Sequence, residues 1–269
     1  MSIYDCFTYF DEDLVLDLRF NILDKYVDKF IVVESTLDHS GKEKKMNFDI
    51  NKFSKFKNKI IYYIVDDMPK NVKSFKKNWS SNFVRENFQR NAIQRCIENC
   101  KENDLILISD ADEIPNLEVL NNQKLDKFAL FKQILFMYKI NLVNKWDWLG
   151  SGISYFKHLK TPQWLRNKRF LRRGFLRRLF FKTQIFQNGG WHFSYLKSPQ
   201  EILLKTKSFA HGEFSNIGLS TIIKRIENKK QIFSLDSSDE MKELKISNTH
   251  FPEYIVNNQE KFKDWIIKN

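Results

Sequence analysis

Three short apolar runs, each followed at once by polar or acidic residues, constrain most strongly what this 269-residue chain can fold into. They cover residues 29–34, 59–65 and 104–108 and consist mainly of aliphatic and aromatic side chains. Such runs are typical of strands that are buried on both faces of a parallel sheet. Residues 12–23 and 82–99 repeat apolar side chains at helical spacing. This alternation predicts an α/β fold, with a mostly parallel central sheet flanked by helices.

The polar residues that follow the three runs are expected to lie close together. They are Glu34 and Ser35 after the first run, Asp66 and Asp67 after the second, and Asp110, Asp112 and Glu113 after the third. The carboxyl ends of parallel strands share one edge of a sheet, and ligands of open α/β folds bind at that edge. The sequence therefore predicts a single site there.

The pair Asp110 and Asp112 is the centre of this predicted site. Two carboxylates one residue apart, on a turn after a buried strand, can both reach one hard cation and leave positions open for phosphate oxygens. A bound Mn²⁺ or Mg²⁺ would neutralise a departing nucleoside diphosphate. Arg90, in the preceding predicted helix, could turn toward the site and meet phosphate or base. The alternatives are that Asp110 and Asp112 are solvated loop acids and that Arg90 lies on an exposed helix face.

Seven motifs in a fixed order carry a resemblance to a known family. They are Tyr-Asp-Cys-Phe at 4–7, Val-Val-Glu-Ser-Thr at 32–36, His-Ser-Gly at 39–41, Val-Asp-Asp-Met-Pro at 65–69, Glu-Asn-Phe-Gln-Arg-Asn-Ala at 86–92, Ser-Asp-Ala-Asp-Glu-Ile-Pro at 109–115 and Gly-Gly-Trp-His-Phe-Ser-Tyr at 189–195. Together they resemble glycosyltransferase family 17 over nearly the whole chain. The resemblance implies a GT-A-type, Rossmann-like fold, a UDP-sugar donor with N-acetylglucosamine as the first candidate, and inversion at the anomeric carbon.

The same resemblance implies roles for individual residues. Asp110 and Asp112 would hold the metal and the diphosphate, Glu34 and Ser35 would lie near the uridine, and Arg90 near the donor. Asp67 and Glu113, in the same strand-end clusters, complete the predicted donor site. We expect a single domain over residues 1–269. Residues 1–115 form its nucleotide-sugar-binding half, and residues 116–269 form an aromatic and basic acceptor-side half.

Inversion requires one base that takes the proton from the acceptor hydroxyl. Glu213, in a turn after a predicted helix, is the first candidate, with capping of that helix as its alternative. Asp147 is the second, because it lies between two tryptophans that could stack on a sugar, in a predicted loop at 145–150. Glu113 is the third.

His192 is a further candidate catalytic residue. It follows two glycines, which allow the backbone to approach a ligand closely. It could bind the metal, the donor phosphate or the acceptor, and packing in the core is the alternative. His211 and His250 are alternative third metal ligands.

The net charge of +12 comes largely from one part of the chain. Residues 148–200 contain eleven Lys or Arg and neither Asp nor Glu. Within them, residues 166–182 interleave arginine pairs with Phe and Leu, a composition that suits a peripheral membrane contact or an anionic acceptor such as a lipid-linked oligosaccharide. A solvated face is the alternative, and nucleic-acid binding is the least favoured.

The first residues contain no basic segment followed by an apolar one, and no apolar stretch reaches membrane-spanning length. We therefore expect a cytoplasmic protein, peripheral to a membrane at most. Two other functions stay open at this point. One is a metal-dependent nucleotidyltransferase, and the other is a non-enzymatic module that binds lipid or nucleic acid through the basic segment.

Overall fold

The apolar runs form the parallel part of the sheet. A computed structural model describes residues 1–70, 72, 81–172, 183–208, 217–232 and 240–268. Its first four strands are β1 (Ile3–Thr8), β2 (Lys29–Ser35), β3 (Ile60–Val65) and β4 (Leu105–Asp110). They run parallel to one another in the spatial order β3-β2-β1-β4. All of their carboxyl ends therefore lie at one edge, as predicted.

Alternate side chains of these strands fill two cores, one on each face of the sheet. Leu107 lies in one core and Ile108 in the other, and both are fully buried. Helix α1 (Asp13–Leu23) covers the first face, and α2 (Ser81–Ala92) with the 3-10 turn Ile93–Cys96 covers the second. Burial of each such side chain contributes about 1.5–3 kcal/mol. The predicted α/β class, with a large central sheet flanked by helices, is confirmed.

The second part of the sheet is mixed. Its strands are β5 (Glu113–Pro115), β6 (Phe128–Met137), β7 (Leu142–Tyr155), β8 (Gln184–Phe186), β9 (Gly190–Ser194) and β10 (Lys242–Glu243). Strand β7 runs antiparallel to both β4 and β6, β9 runs parallel to β6, and β5 runs antiparallel to β9. The acidic turn between β4 and β5 is thereby brought beside the Gly-Gly-Trp-His motif on β9.

Residues 145–150, predicted to be a loop, lie within β7 instead. Ile134 of β6 pairs with Asp147, whereas Phe136 pairs with Val143, so β7 bulges between these two pairs. Pairing with β6 keeps the Trp-Asp-Trp stretch extended. That partner precedes β7 in the chain, but the pattern of residues 145–150 alone gives no sign of it.

The remaining helices are short. They are α3 (Val119–Asn122), α4 (Pro162–Asn167), α5 (Pro199–Ser208), α6 (Leu219–Glu227) and α7 (Glu253–Asn257). The helix predicted over 82–99 ends earlier, because α2 gives way to the 3-10 turn after Ala92. None of the helices in the described ranges is long and apolar enough to cross a membrane. One sheet contains strands from both predicted halves of the chain, and the division at residue 115 stays a prediction.

Candidate active site

A buried arginine that the sequence analysis did not single out fixes the acidic turn between β4 and β5. Arg19 of α1 donates from Nε and Nη2 to the carboxylate of Asp5, at 2.7 and 2.5 Å, and both residues are fully buried. Its Nη1 donates to three carbonyls of the turn, those of Asp110, Ala111 and Glu113, at 3.1, 3.1 and 2.9 Å. The turn backbone is thus held by charge-assisted hydrogen bonds. An arginine on the apolar face of a predicted helix was the available signal.

Two further arginines hold Asp110. Its Oδ1 accepts from Arg90 at 2.9 Å, its Oδ2 accepts from Arg166, and Arg90 also pairs with Glu86 at 2.8 Å. Burial raises the pKa of Asp110, but Arg166 and Arg90 lower it by more, so that this pKa lies well below its usual range. Asp110 is therefore an ionised carboxylate with both oxygens occupied by guanidinium groups. Arg90 lies at the acidic turn, and its contact with a donor stays a prediction.

Glu113 is a buried acid with protein partners at both oxygens. Its Oε1 accepts from the indole N–H of Trp148 at 2.5 Å and from Arg166 at 2.8 Å, and its Oε2 accepts from the Asp110 backbone N–H at 3.0 Å. A Cβ at position 150 would collide with this carboxylate, so only Gly150 leaves room for it. A role as base would require Glu113 to break these hydrogen bonds.

Asp112 faces a single imidazole. Glu113 and His192 are partners in the β5–β9 pairing, and this register places His192 Nε2 at 3.4 Å from Asp112 Oδ1. The other ring nitrogen, Nδ1, is buried and has no hydrogen-bond partner among the described residues. Burial raises the pKa of Asp112, but His192 and then Lys205 lower it by more, so this pKa falls below its usual range. Among the described residues, Asp112 is the acid of the turn with the fewest side-chain partners.

The Gly-Gly motif before His192 serves the sheet. Gly190 has φ +120°, and a Cβ there would collide with the carbonyl oxygen of Ile114 on β5. Glycine is required because it tolerates this backbone conformation and the close approach of the neighbouring strand. The close approach predicted for a ligand is therefore made by β5. It brings His192 to the acidic turn.

Arg169 and Trp148 pack together beside Glu113 and His192. The guanidinium carbon of Arg169 lies 5.5 Å from the centre of the Trp148 ring and 4.6 Å from that of Phe170. The Trp148 ring also packs against His192, with 4.9 Å between ring centres. Burial, and then the neighbouring Arg166, lower the pKa of Arg169 to about 10, so it stays charged at neutral pH. Trp148 was predicted to stack on a sugar beside Asp147, and its contacts with Glu113 and Arg169 were not predicted.

The remaining residues of the predicted donor site have partners elsewhere. Ser35 Oγ donates to the carbonyl of Leu37 at 2.6 Å, and Asp67 pairs with Arg95 at 2.7 Å near the outer strand β3. Glu34 is fully buried and accepts hydrogen bonds from Lys44 Nζ, the Asn47 and Phe48 backbone N–H groups and Tyr62 Oη. No hydrogen bond or ion pair between described residues joins Glu34 or Asp67 to the acidic turn. Their contact with a donor stays a prediction.

The predicted acceptor-side residues are only partly described. Asp147 lies on β7, half exposed, and pairs with Lys132 at 2.6 Å. Glu213 and His211 lie outside the described residues. The His250 carbonyl accepts the indole N–H of the tryptophan that precedes His192, at 2.7 Å. Which acid is the base stays a prediction.

The basic segment begins inside the site. Arg166 is buried between Asp110 and Glu113, and Lys168 lies over the Trp164 ring at 4.3 Å. Residues 173–182 lie outside the described residues. The first arginine of the segment therefore stabilises the acidic turn, in contrast to the membrane, acceptor and solvent contacts predicted for the segment as a whole.

A divalent cation fits the environment of Asp112 better than that of Asp110. Carboxylate oxygen and imidazole nitrogen are ligands that Mn²⁺ accepts, and the two groups already face each other at Asp112 and His192. Asp110 would have to exchange a guanidinium contact for a metal. Across the described ranges, no group of three or more His, Cys, Asp or Glu is placed to hold a metal. Phosphate oxygens and water would therefore have to supply the other ligands.

The chain is similar to one protein family and to two relatives of known name. The profile of glycosyltransferase family 17 matches residues 1–267. Human and rat β-1,4-mannosyl-glycoprotein 4-β-N-acetylglucosaminyltransferase are each 28% identical over 106 residues, which is 38% of this chain and 19% of each relative. The matched segment thus spans about a fifth of those proteins' length.

Two solved structures are similar at a low level, and the family rests on the profile match. A 4-diphosphocytidyl-2C-methyl-D-erythritol synthase has TM-score 0.37 at 12% identity, covering 76% of this chain and 97% of its own. Glucosyl-3-phosphoglycerate synthase from Mycobacterium tuberculosis, solved with Mn²⁺, UDP and phosphoglyceric acid, has TM-score 0.34 at 11% identity, covering 94% and 90%. At such TM-scores the similarity bears on neither the site nor its ligands. The profile matches nearly the full sequence, and the chain belongs to glycosyltransferase family 17.

Proposed function

We propose that this protein is an inverting, metal-assisted glycosyltransferase. It moves a sugar from a UDP-sugar to a hydroxyl of a glycan acceptor. The observation that carries the proposal is that Asp112, on the turn after the buried strand β4, faces His192 of β9. Arg90, Arg166 and Arg169 lie beside this pair. N-acetylglucosamine is the first candidate sugar, because the two curated relatives carry that transfer in their names.

Some residues at the turn would bind the metal and the donor, and others fix the conformation of the turn. Asp112 and His192 Nε2 would hold Mn²⁺ or Mg²⁺, and Asp110 would join them by releasing a guanidinium. A bound divalent cation supplies Lewis-acid stabilisation of the departing diphosphate. Arg19 holds three carbonyls of the turn by hydrogen bonds and so fixes the backbone that carries Asp110 and Asp112. Arg90 would contact the donor from α2, next to Asp110.

The acceptor side follows from the reaction. One base must remove the acceptor proton while the sugar leaves the diphosphate. Glu213 is our first choice and Asp147 our second. Glu213→Gln should abolish transfer and leave UDP affinity within about two-fold, because one base contributes roughly 10²–10⁴-fold to the rate. Full activity in this variant would assign the base elsewhere.

The basic segment 166–182 supports an acceptor that is anionic or linked to a lipid. We propose a peripheral contact with an anionic membrane surface through its arginines, in a cytoplasmic protein. Sedimentation with phosphatidylglycerol vesicles tests this contact. Replacing Arg172, Arg173, Arg177 and Arg178 together by Ser should abolish it, whereas unchanged sedimentation would contradict it.

The reaction itself is tested by UDP release. The protein is incubated with Mn²⁺ and a panel of UDP-sugars, with and without glycan acceptors, and compared with Asp112→Asn. Asp24→Asn is the matched control, because Asp24 is a partly exposed acid that pairs with Lys59. We expect release with wild type and with the control and none with Asp112→Asn. Release from no donor, or equal release from all three proteins, would reject the proposal.

A further inference from the structure

Besides Arg19, three arginines lie around the acidic turn, and Arg169 has the fewest hydrogen-bond partners of these three among the described residues. Arg90 and Arg166 both donate to carboxylates. Arg169 Nε and Nη1 are buried, and neither has a hydrogen-bond partner within the part of the chain that the structure describes. Arg169 therefore brings to the site two donor atoms that no described residue uses.

Aromatic packing holds Arg169 in this position. Its guanidinium lies over Trp148 and Phe170, and Trp148 is itself fixed by its hydrogen bond to Glu113 and its contact with His192. A guanidinium stacked on an aromatic face keeps its N–H groups in the plane and free to bind an anion. The same tryptophan thus connects Arg169 to the imidazole that faces Asp112.

The arrangement is unfavourable unless an anion completes it. Nε and Nη1 of Arg169 are desolvated, and no described residue accepts a hydrogen bond from them in place of water. Arg166, of like charge, lies close by, and the acids Asp110 and Glu113 already accept hydrogen bonds from Arg166. An oxyanion with several oxygens would supply acceptors for both unused donors and offset the repulsion.

We propose that Arg169 binds the diphosphate of the nucleotide donor, with Trp148 as the platform that orients its guanidinium. This inference rests on the proposed function, which makes a nucleoside diphosphate the anion at this site. It assigns the phosphate contact to a residue of the basic segment, in addition to the metal that Asp112 and His192 would hold. Charge on the diphosphate would then be neutralised by both the metal and Arg169.

Calorimetric titration with three probes tests the inference. UDP, uridine and inorganic pyrophosphate are each titrated, in Mg²⁺, into wild type, Arg169→Gln, Arg169→Lys and Lys168→Gln. Lys168 is the matched control, because it is the adjacent cation and lies over Trp164 and Phe128, away from the acidic turn. Far-UV circular dichroism and thermal melting confirm that each variant is folded, and Arg169→Lys serves if Arg169→Gln is not.

Loss of two charge-assisted hydrogen bonds should weaken UDP and pyrophosphate binding to Arg169→Gln by at least about ten-fold. Arg169→Lys should lie between it and wild type, because lysine keeps the charge but not the planar fork. Uridine should bind all four proteins within about two-fold, and Lys168→Gln should match wild type for every probe.

The outcomes separate the two proposals. UDP binding equally weakened in Arg169→Gln and Lys168→Gln overturns the inference and leaves the proposed function intact. So does an equal loss of UDP and uridine, which would mean that Arg169 only packs against Trp148. If wild type binds pyrophosphate but not UDP, the UDP donor is wrong, and an Arg169-dependent loss of pyrophosphate still supports the anion site. Binding of neither overturns both.

Discussion

The acids that follow β2 and β3 and those that follow β4 occupy equivalent positions in the sheet, yet the protein uses them differently. Glu34, at the end of β2, is fully buried and has hydrogen-bond donors from residues 44–48 and from Tyr62. Asp67, after β3, pairs with Arg95 at the surface. Glu34 therefore holds residues 44–48 against β2, and Asp67 joins the segment after β3 to Arg95.

After β4 the partners are of another kind. Asp110 faces two buried arginines, and Asp112 faces His192, whose second nitrogen has no partner in the described part of the chain. A position at the end of a parallel strand therefore determines the edge at which a carboxylate lies. The donors that surround it determine whether it is available to a ligand.

The largest difference between the two regions should appear on neutralising Asp112. We expect Asp112→Asn to lower kcat by about 10³-fold, because the metal supplies several kcal/mol of transition-state stabilisation and this residue would hold it. Thermal melting should stay close to that of wild type, since His192, the ion-pair partner of Asp112 in the described part of the chain, lies 3.4 Å away. Initial rates of UDP release at saturating donor measure the effect, with Asp24→Asn as control. A loss below about ten-fold would remove Asp112 from the metal site.

Neutralising Glu34 should have the opposite result. Glu34→Gln breaks a buried ion pair with Lys44, and we expect the free energy of unfolding to fall by about 3 kcal/mol. At a temperature where the variant is folded, kcat/KM should stay within about three-fold of wild type. Urea unfolding and UDP-release kinetics on the same preparation measure both. Unchanged stability with a raised KM for the donor would instead confirm the predicted uridine contact.

The contribution of Asp110 to the free energy of unfolding should depend on pH. Its pKa is below the usual value, so its ion pairs stabilise the fold above the unfolded-state pKa of about 4 and lose that contribution as pH falls through the folded-state pKa. We expect Asp110→Asn to lower the unfolding free energy by about 1 kcal/mol, because part of the side chain is solvent-exposed. Urea unfolding from pH 3 to pH 7 should show this difference constant above about pH 4 and smaller below. A difference that does not change with pH would contradict it.

The smallest effect is expected at Asp67. Its pair with Arg95 is half exposed, so Asp67→Asn should change the free energy of unfolding by less than about 1 kcal/mol. The KM for the donor should change by less than about two-fold. Donor-dependent UDP release measures it, and Arg95→Gln provides the matched removal of the other partner. A clear rise in KM with Asp67→Asn alone would restore Asp67 to the donor site.

Much of the fold could be predicted because a strand that is buried on both faces of the sheet has a recognisable apolar sequence. A strand covered by α1 on one side and α2 on the other is apolar along its buried length, and residues 30–33 and 105–108 show this directly. The strands of the mixed part of the sheet were less recognisable in the sequence. The stretch 145–150 looked like a loop, and pairing with β6 made it part of β7.

The location of the site could be predicted, but the hydrogen bonds and ion pairs within it could not. Asp110 and Arg166 are 56 residues apart in the chain, and Arg19 reaches the carbonyl of Asp110 across 91 residues. Such contacts depend on how α1, α4 and β9 pack against the sheet. No local pattern records them.

The sequence by itself therefore determined the α/β class, the sheet edge that contains the acidic turn and the family to which the chain belongs. Periodicity and motif order are properties of neighbouring residues, and they survive without a fold. Only the tertiary structure decided that Asp110 is held by arginines while Asp112 faces His192, and that Arg169 has donors beside them that no described residue uses. The availability of a charged group depends on the groups packed around it, and those come from distant parts of the chain.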